Sequence, residues 1–165
     1  MNDEAILVLT TGGTIDKQYF DALSQYMITE SIIARLLEVA RVTHAFRVEE
    51  IMRKDSLDIE EQDRTVLVER VAAAPERRVV ITHGTDTMTE TASALAGIAG
   101  KTMVLVGALT PARFAESDAA FNLGMAFATA QTASPGVYIT MNGSVFDGLH
   151  VRKDRDLARF VVVPD

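Results

Sequence analysis

Three short, largely apolar runs, each followed within three residues by glycine, constrain the fold of this chain most strongly. They cover residues 5–9, 78–82 and 102–106. A continuous apolar run of this length is typical of a parallel strand buried on both faces, because a half-exposed strand would alternate apolar and polar residues. Each run therefore predicts an interior strand of a parallel sheet.

Segments with helical periodicity lie between these strands. Apolar residues recur at helical spacing over residues 29–40, 67–74, 92–99 and 120–130. Asp58 followed by Glu61 resembles a capping box for the second helix, Gly100 is expected to end the third, and Ser117 or Asp118 can cap the fourth. The alternation predicts an α/β fold with a doubly wound, mostly parallel sheet and helices on both faces.

The remaining segments complete the predicted order of elements. Residues 17–26 have no clear period and predict a loop. The dipeptide Asn142-Gly143 favours a two-residue turn, so we expect a C-terminal β-hairpin around it. Further strands are predicted over residues 44–51, 137–141, 144–146 and 158–163.

Length, charge and cysteine content exclude several classes of protein. The 165 residues allow one domain with a full core but not two, so we expect a single domain over residues 1–165. A net charge of −7 disfavours binding to nucleic acid, because an acidic surface repels phosphate. The chain has no cysteine, which excludes disulfides and a thiolate nucleophile. Without a basic signal-peptide start or a membrane-length apolar segment, we expect a soluble, cytoplasmic protein that binds no membrane.

Polar residues collect where the predicted strands end. In open α/β sheets, ligands bind beyond the carboxyl ends of the strands, and that edge is where hydroxyls, glycines and a carboxylate come together here. The residues concerned are 11–14, 54–56, 82–87 and 107–108. Glycine lets backbone N–H groups approach a ligand closely. The pattern predicts a small-molecule site that contains a hydroxyl nucleophile.

A hydroxyl nucleophile needs a base, and two residues are candidates. His83 follows a buried strand directly, where a hydrogen-bonded structural histidine is the simpler interpretation. Lys153 lies in a polar segment, where a lone lysine is usually a solvated charge, and it would have to lose its proton before accepting one. Asp86 begins a helix, where an acid already complements the helix dipole. The residues alone leave these alternatives open.

Two motifs resemble the signatures of the bacterial-type L-asparaginase and glutaminase family. They are Thr11-Gly12-Gly13-Thr14-Ile15 and His83-Gly84-Thr85-Asp86-Thr87-Met88. The similarity continues in the same order through residues 106–108, 121–123, 141–143 and 147–148. It covers nearly the whole chain and implies a short form that matches the N-terminal domain only, without the usual C-terminal domain.

The resemblance implies a set of catalytic residues. Thr14 matches the nucleophilic threonine on the first loop. Thr85 and Lys153 match the second threonine and the lysine that relay its proton. A tyrosine on the first loop normally assists the nucleophile; Tyr19 and Tyr26 both qualify, and Tyr19 is preferred here because it is nearer to Thr14 in sequence.

The resemblance also implies the substrate-binding residues. Asp86 matches the carboxylate that binds the substrate's α-amino group, and Ser56 matches the serine that holds its α-carboxylate. Gly84 and Ala108 are the other implied substrate-binding positions. Leu57 stands where many members have a polar residue that touches the substrate, which predicts weak binding.

The expected reaction is hydrolysis of L-asparagine to L-aspartate and ammonia through an acyl-enzyme, without a metal or organic cofactor. Activity on glutamine is expected to be low, because its longer side chain shifts the amide relative to the nucleophile. We expect a homo-oligomer, either a dimer or a tetramer. Two alternatives stay open: an amino-acid-binding module without turnover, and a domain like that of an amidotransferase subunit, which passes ammonia to a partner.

Overall fold

The structure, a computed structural model, describes residues 4–164. The strands are β1 (Ile6–Gly12), β2 (Lys17–Phe20), β3 (Gln25–Ile28), β4 (Phe46–Lys54), β5 (Arg78–Thr82), β6 (Thr102–Val106), β7 (Gly136–Met141), β8 (Ser144–Asp147), β9 (Val151–Asp154) and β10 (Arg159–Val162). The helices are α1 (Ile33–Val39), α2 (Glu61–Ala73), α3 (Met88–Leu95) and α4 (Ala119–Thr132).

A six-stranded sheet in the order β4-β1-β5-β6-β7-β8 forms the centre of the fold. Within this sheet β4, β1, β5, β6 and β7 run parallel, and β8 pairs antiparallel with β7 through the turn at Asn142 and Gly143. Both turn residues have positive φ, 54° and 71°, as a type I′ turn requires. Two separate pairs, β2-β3 and β9-β10, complete the chain. The predicted α/β class with a mostly parallel sheet and a C-terminal hairpin is confirmed.

The central strands are buried on both faces, as their apolar runs predict. In β1, Leu7 and Leu9 belong to the hydrophobic cluster that includes residues of α2 and α3. Ile6 and Val8 point to the opposite face, into the cluster that includes residues of α1 and α4. Each such side chain contributes about 1.5–3 kcal/mol through burial, so the two clusters fix both layers of helices on the sheet.

Two predictions about the ends of helices were wrong. The helix α3 ends at Leu95, well before Gly100, and Ala96 and Ala99 are exposed. The capping box is formed by Glu60 and Asp63 instead of Asp58 and Glu61. Asp58 lies in a 3₁₀ turn, and the carboxylate of Asp63 accepts the N–H of Glu60 at 2.9 Å. None of the helices within residues 4–164 is both long and apolar enough to cross a membrane.

Two polar segments form strands that their sequences did not predict. Residues 17–26, predicted as a loop, belong to the β2-β3 hairpin, in which Tyr19 lies directly opposite Tyr26. Residues 151–154 form β9, which pairs with β10 and buries Val151 and Phe160 in the core. Each strand has only four residues, too few to establish a period, and both hairpins depend on contacts with distant parts of the chain.

Candidate active site

The first loop bends sharply at the end of β1 and meets a second loop backbone to backbone. Gly12 and Gly13 have φ values of 101° and 82°, which are readily available to glycine. A Cβ atom on Gly13 would lie 2.5 Å from the backbone nitrogen of Gly84. The 3₁₀ turn Thr14–Asp16 follows directly, so this close approach brings Thr14 to the loop after β5.

The loop after β4 packs against the other side of Gly84. A Cβ atom on Gly84 would lie 2.7 Å from the Cβ of Ser56. The N–H of Asp86 donates to the Ser56 hydroxyl at 3.2 Å, and the Thr87 hydroxyl donates to the Ser56 carbonyl at 2.7 Å. The loops that follow β1, β4 and β5 therefore form one packed unit at the carboxyl edge of the sheet.

Strand β9 brings Lys153 into this unit. Its Nζ donates to the Thr85 hydroxyl at 2.7 Å and to Asp86 Oδ1 at 2.9 Å. Arg155 Nε lies 3.4 Å from the same carboxylate oxygen. The side chain of Lys153 is largely buried, which distinguishes it from the solvated lysine that its polar segment would suggest. The contact suits either direction: the ammonium donates to the Thr85 hydroxyl, whereas a neutral amine would accept the hydroxyl's hydrogen.

Asp55 links the β2-β3 hairpin to the loop after β4. Its Oδ2 lies 2.9 Å from Lys17 Nζ, and its Oδ1 accepts the N–H of Leu57 at 3.2 Å. Burial acts to raise the pKa of Asp55, but these two hydrogen bonds and the charges of Lys17 and Lys153 together lower it. Asp55 is therefore a carboxylate at neutral pH, and the charges of two lysines stabilise its ionised form.

His83 is a structural residue, not a base. Its ring is 1% exposed, and burial lowers its pKa from 6.5 to about 4. Nδ1 lies 2.7 Å from the Gly84 carbonyl, which can only accept, so Nδ1 carries the hydrogen. Nε2 lies 2.8 Å from the Thr91 hydroxyl, which itself accepts from Arg64 Nε at 3.2 Å. Both ring nitrogens are occupied, as expected for a buried, hydrogen-bonded histidine.

A cavity of about 190 Å³ beside the first loop is lined by Thr14, Lys17, Tyr26 and Pro111. Tyr19 does not line it; the ring of Tyr19 packs against that of Tyr26 with 5.1 Å between centroids. The preference for Tyr19, which rests on distance along the chain, is therefore not supported by this geometry. Tyr26 is the tyrosine that shares a cavity with Thr14.

The loop after β6 packs beneath the second motif. A Cβ atom on Gly107 would lie 2.5 Å from the His83 carbonyl oxygen. The methyl group of Ala108 is buried in the hydrophobic cluster of α1 and α4. Of Ala108, only the backbone could therefore contact a substrate. Within residues 4–164, no group of three or more His, Cys, Asp or Glu side chains is placed to hold a metal ion.

A sequence model of the family described as "Asparaginase, N-terminal" matches residues 5–159. The chain belongs to the asparaginase family. The two motifs, in the order in which they occur, indicate the same family from the sequence.

Three relatives illustrate the match. L-asparaginase from Thermococcus kodakarensis strain KOD1 is 31% identical over 158 residues, which are 92% of this chain and 48% of the relative. L-asparaginase 2 of Escherichia coli strain K12 is 33% identical over 172 residues, covering 94% of this chain and 48% of the relative. A glutamyl-tRNA(Gln) amidotransferase subunit of Methanococcus vannielii is 40% identical over 84 residues, covering 46% of this chain and 20% of the relative.

Comparison with solved structures extends the similarity to the fold. The structure of the thermostable L-asparaginase from Thermococcus kodakarensis superposes with a TM-score of 0.80 at 28% identity, covering 96% of this chain and 51% of that one. This asparaginase-family chain therefore spans about half the length of the two L-asparaginases that it matches.

Three residues of the site in this asparaginase-family chain have no role predicted from sequence. Lys17 lines the cavity beside Thr14, and Asp55 forms an ion pair with Lys17. Asp16 anchors the turn that joins Thr14 to Lys17. For Asp55, the available signal is a carboxylate next to Ser56 at the predicted carboxyl edge of the sheet. Asp16 and Lys17 carry no such signal, since they fall at the start of a segment that has no clear period.

Proposed function

We propose that this chain hydrolyses the side-chain amide of L-asparagine to L-aspartate and ammonia, with Thr14 as the nucleophile. The observation that carries the proposal is the contact of Lys153 with Thr85 and Asp86. These residues adjoin Gly84, which Gly13 approaches closely, and Thr14 follows Gly13 in the chain. A hydroxyl nucleophile, a hydroxyl that can relay its proton, a lysine and a carboxylate thus share one edge of the sheet.

The head group of asparagine fits the charges at this edge. Lys153 and Arg155 both contact Oδ1 of Asp86, so we assign the second carboxylate oxygen to the substrate ammonium. The Ser56 hydroxyl accepts from the Asp86 N–H, which leaves its own hydrogen to donate to the substrate α-carboxylate. The side-chain amide then extends toward the cavity that Thr14 and Tyr26 line.

The reaction divides into two steps. In the first, Lys153 reacts as the neutral amine: Thr14 Oγ1 attacks the amide carbon, its proton moves to the Thr85 hydroxyl, and Thr85 passes its own proton to Lys153 Nζ, with Tyr26 beside Thr14 assisting. The carbon–nitrogen bond breaks, the nitrogen takes up a proton, and ammonia leaves an acyl-enzyme. In the second, a water oxygen attacks the ester carbon, the bond from that carbon to Thr14 Oγ1 breaks, one water proton reaches Thr14 Oγ1 through the same groups, and L-aspartate leaves. Backbone N–H groups of residues 84–85 are the proposed donors to the oxyanion, each worth about 3 kcal/mol in the transition state.

Ammonia release from L-asparagine by the purified chain tests the proposal. We expect Thr14→Ala to lower turnover at least about a thousandfold, whereas Thr14→Ser, which keeps a hydroxyl, should retain part of it. L-Glutamine should be a poorer substrate. Equal background release by the wild type and Thr14→Ala at millimolar asparagine would exclude the hydrolase and favour a binding module.

An amidotransferase-like role is the second candidate, because the similarity to the Methanococcus vannielii amidotransferase subunit covers 84 residues at 40% identity. Such a domain would release little ammonia from free amino acids unless its partner were present. Ammonia release that depends on an added partner would favour this candidate over the independent hydrolase.

We also propose that the chain forms a homo-oligomer. Large apolar side chains such as Phe121 and Phe114 are exposed, and an interface between copies would cover them. Light scattering at micromolar concentration tests the proposal, and a monomer would refute it.

A further inference from the structure

Asp16 is a buried carboxyl group two residues after Thr14. The residue is only 1% exposed, and its Oδ1 accepts from the Ser31 hydroxyl and from the Ile32 N–H, both at 3.0 Å. Burial raises the pKa of Asp16, although these two hydrogen bonds and the nearby Arg113 act to lower it. Burying a carboxyl group is costly unless hydrogen bonds compensate, so this placement requires both donors.

The backbone carbonyl of Asp16 is equally well engaged. It accepts from the N–H of Thr29 at 3.3 Å, from the Thr29 hydroxyl at 3.4 Å and from Arg113 Nη1 at 3.1 Å. Arg113 also donates to the Glu30 carbonyl through Nη2 at 2.9 Å. One residue therefore joins the first loop, the segment before α1 and the turn that carries Arg113.

These contacts lie at the base of the β2-β3 hairpin. The hairpin begins at Lys17, directly after Asp16, and returns at Ile28, directly before Thr29. It carries Lys17 and Tyr26, which line the cavity with Thr14. Any displacement of Asp16 would therefore move the nucleophile on one side and the cavity wall on the other.

We propose that Asp16 is a positioning residue, which acts through its two side-chain hydrogen bonds to hold Thr14 and the β2-β3 hairpin in a reactive arrangement. The inference rests on the proposed function for its kinetic part. The substrate head group is assigned to Ser56 and Asp86, which lie on other loops. Loss of the anchor should therefore lower kcat while leaving the binding of the product aspartate nearly unchanged.

Three variants test this role. Asp16→Ala removes the acceptor, and we expect kcat to fall about 10- to 100-fold, since displacement of a reacting group by about 1 Å can cost a hundredfold. Asp16→Asn retains an oxygen that accepts from Ser31 and Ile32, so it should keep kcat within about fivefold of the wild type. Ser31→Ala removes one of the two donors and should give an intermediate kcat. The dissociation constant for L-aspartate should stay within about twofold in all three, because the head-group residues are untouched.

Hydrogen exchange separates this inference from the proposed function, because it does not require turnover. Amides of residues 17–32 should exchange faster in Asp16→Ala than in the wild type, and Asp16→Asn should restore their protection. If the wild type released no ammonia, the proposed function would fail while this measurement could still support the anchor. Unchanged kcat and unchanged exchange in Asp16→Ala would overturn the inference, as would faster exchange throughout the sheet. Should Asp16→Ala not fold, Ser31→Ala decides by the same criteria, and Asp16→Asn remains the variant that should resemble the wild type.

Discussion

Lys153 Nζ lies 2.7 Å from the Thr85 hydroxyl, although 68 positions separate the two residues in the chain. The contact joins β9 to the loop that follows β5. Under the proposed mechanism, Lys153 exchanges a proton with Thr85, so Lys153→Met should lower kcat for ammonia release by about a hundredfold or more. Thr85→Val should have a similar effect, and the double variant should be little worse than either single one.

Arg152→Met is the matched control for Lys153. Arg152 neighbours Lys153 on β9, its side chain is exposed, and its guanidinium lies 3.7 Å from Asp154. Its replacement removes one positive charge from the same strand without affecting the contact with Thr85, so kcat should stay within about twofold of the wild type. Comparable losses in the two variants would mean that the net charge of the strand, not a proton route, supports turnover.

The close approach of Gly13 to Gly84 predicts that a side chain at position 13 is not tolerated. In Gly13→Ala the new methyl group would lie 2.5 Å from a backbone nitrogen, at a φ of 82° that L-residues rarely adopt. The first loop must move away, which should abolish measurable turnover and lower the free energy of unfolding by about 1–3 kcal/mol. Denaturant unfolding and ammonia release measure the two effects.

Gly124→Ala is the control for that substitution. Gly124 lies in α4, is exposed, and has no heavy atom within 4 Å of the position that a Cβ would occupy. The change should leave turnover intact and raise the free energy of unfolding by about 0.5–1 kcal/mol, because alanine restricts the unfolded chain and favours the helix. A Gly13→Ala variant with wild-type activity would contradict the placement of the first loop.

Leu57 provides a third prediction, about affinity. Leu57 follows Ser56, and its apolar side chain offers the proposed substrate no polar contact. It is 65% exposed, so it can be replaced without disturbing the core. Leu57→Gln could supply one hydrogen bond to the charged head group, worth about 1.5–3 kcal/mol. We expect KM for asparagine to fall roughly tenfold or more, with kcat little changed.

Leu57→Ala separates a gained contact from a merely reduced side chain. It shortens the residue without adding a donor or acceptor, so KM should remain close to that of the wild type. If Leu57→Ala and Leu57→Gln lowered KM equally, steric hindrance by the leucine, not a missing hydrogen bond, would limit the affinity for asparagine. Initial rates of ammonia release over a range of asparagine concentrations measure both variants.

The central strands could be predicted from sequence because burial on both faces leaves a local signature. The runs in β1, β5 and β6 are apolar on both faces, and the rule that ligands bind at the carboxyl edge of such a sheet located the glycine and hydroxyl loops. The motifs there also identified the family. These features depend on short stretches of sequence, each of which is informative by itself.

Other parts of the site could not be predicted, since they depend on contacts between distant residues. The strands β2 and β3 have only four residues each, and their hairpin is held by Asp16 and by the Tyr19–Tyr26 pair. In β9, Lys153 and its charged neighbours have the pattern of a solvated segment. The family resemblance paired Lys153 with Thr85, and the fold brings the two into contact, although the polar segment by itself gives no such signal. Only the cavity distinguishes Tyr26 from Tyr19.

His83 should make the stability of the protein depend on pH. Its pKa is about 4 in the folded state, compared with 6.5 for an ordinary histidine. Between these two values the unfolded chain binds a proton that the folded chain does not, so lowering the pH favours unfolding. The contribution of His83 to stability is fully present above pH 6.5 and is lost as the pH falls toward 4. A difference of this size corresponds to about 3 kcal/mol.

Urea unfolding at several pH values between about 4 and 7 measures this contribution. The wild-type free energy of unfolding should decrease by about 3 kcal/mol more over this range than that of His83→Gln, whose side chain does not titrate. Thr91→Ser keeps the hydroxyl that hydrogen-bonds to His83 Nε2 and should retain the wild-type pH dependence. Because the comparison concerns slopes, it holds even if His83→Gln is less stable at every pH. Parallel curves for the wild type and His83→Gln would mean that the buried imidazole can accept a proton in the folded state, which would reopen its candidacy as the base.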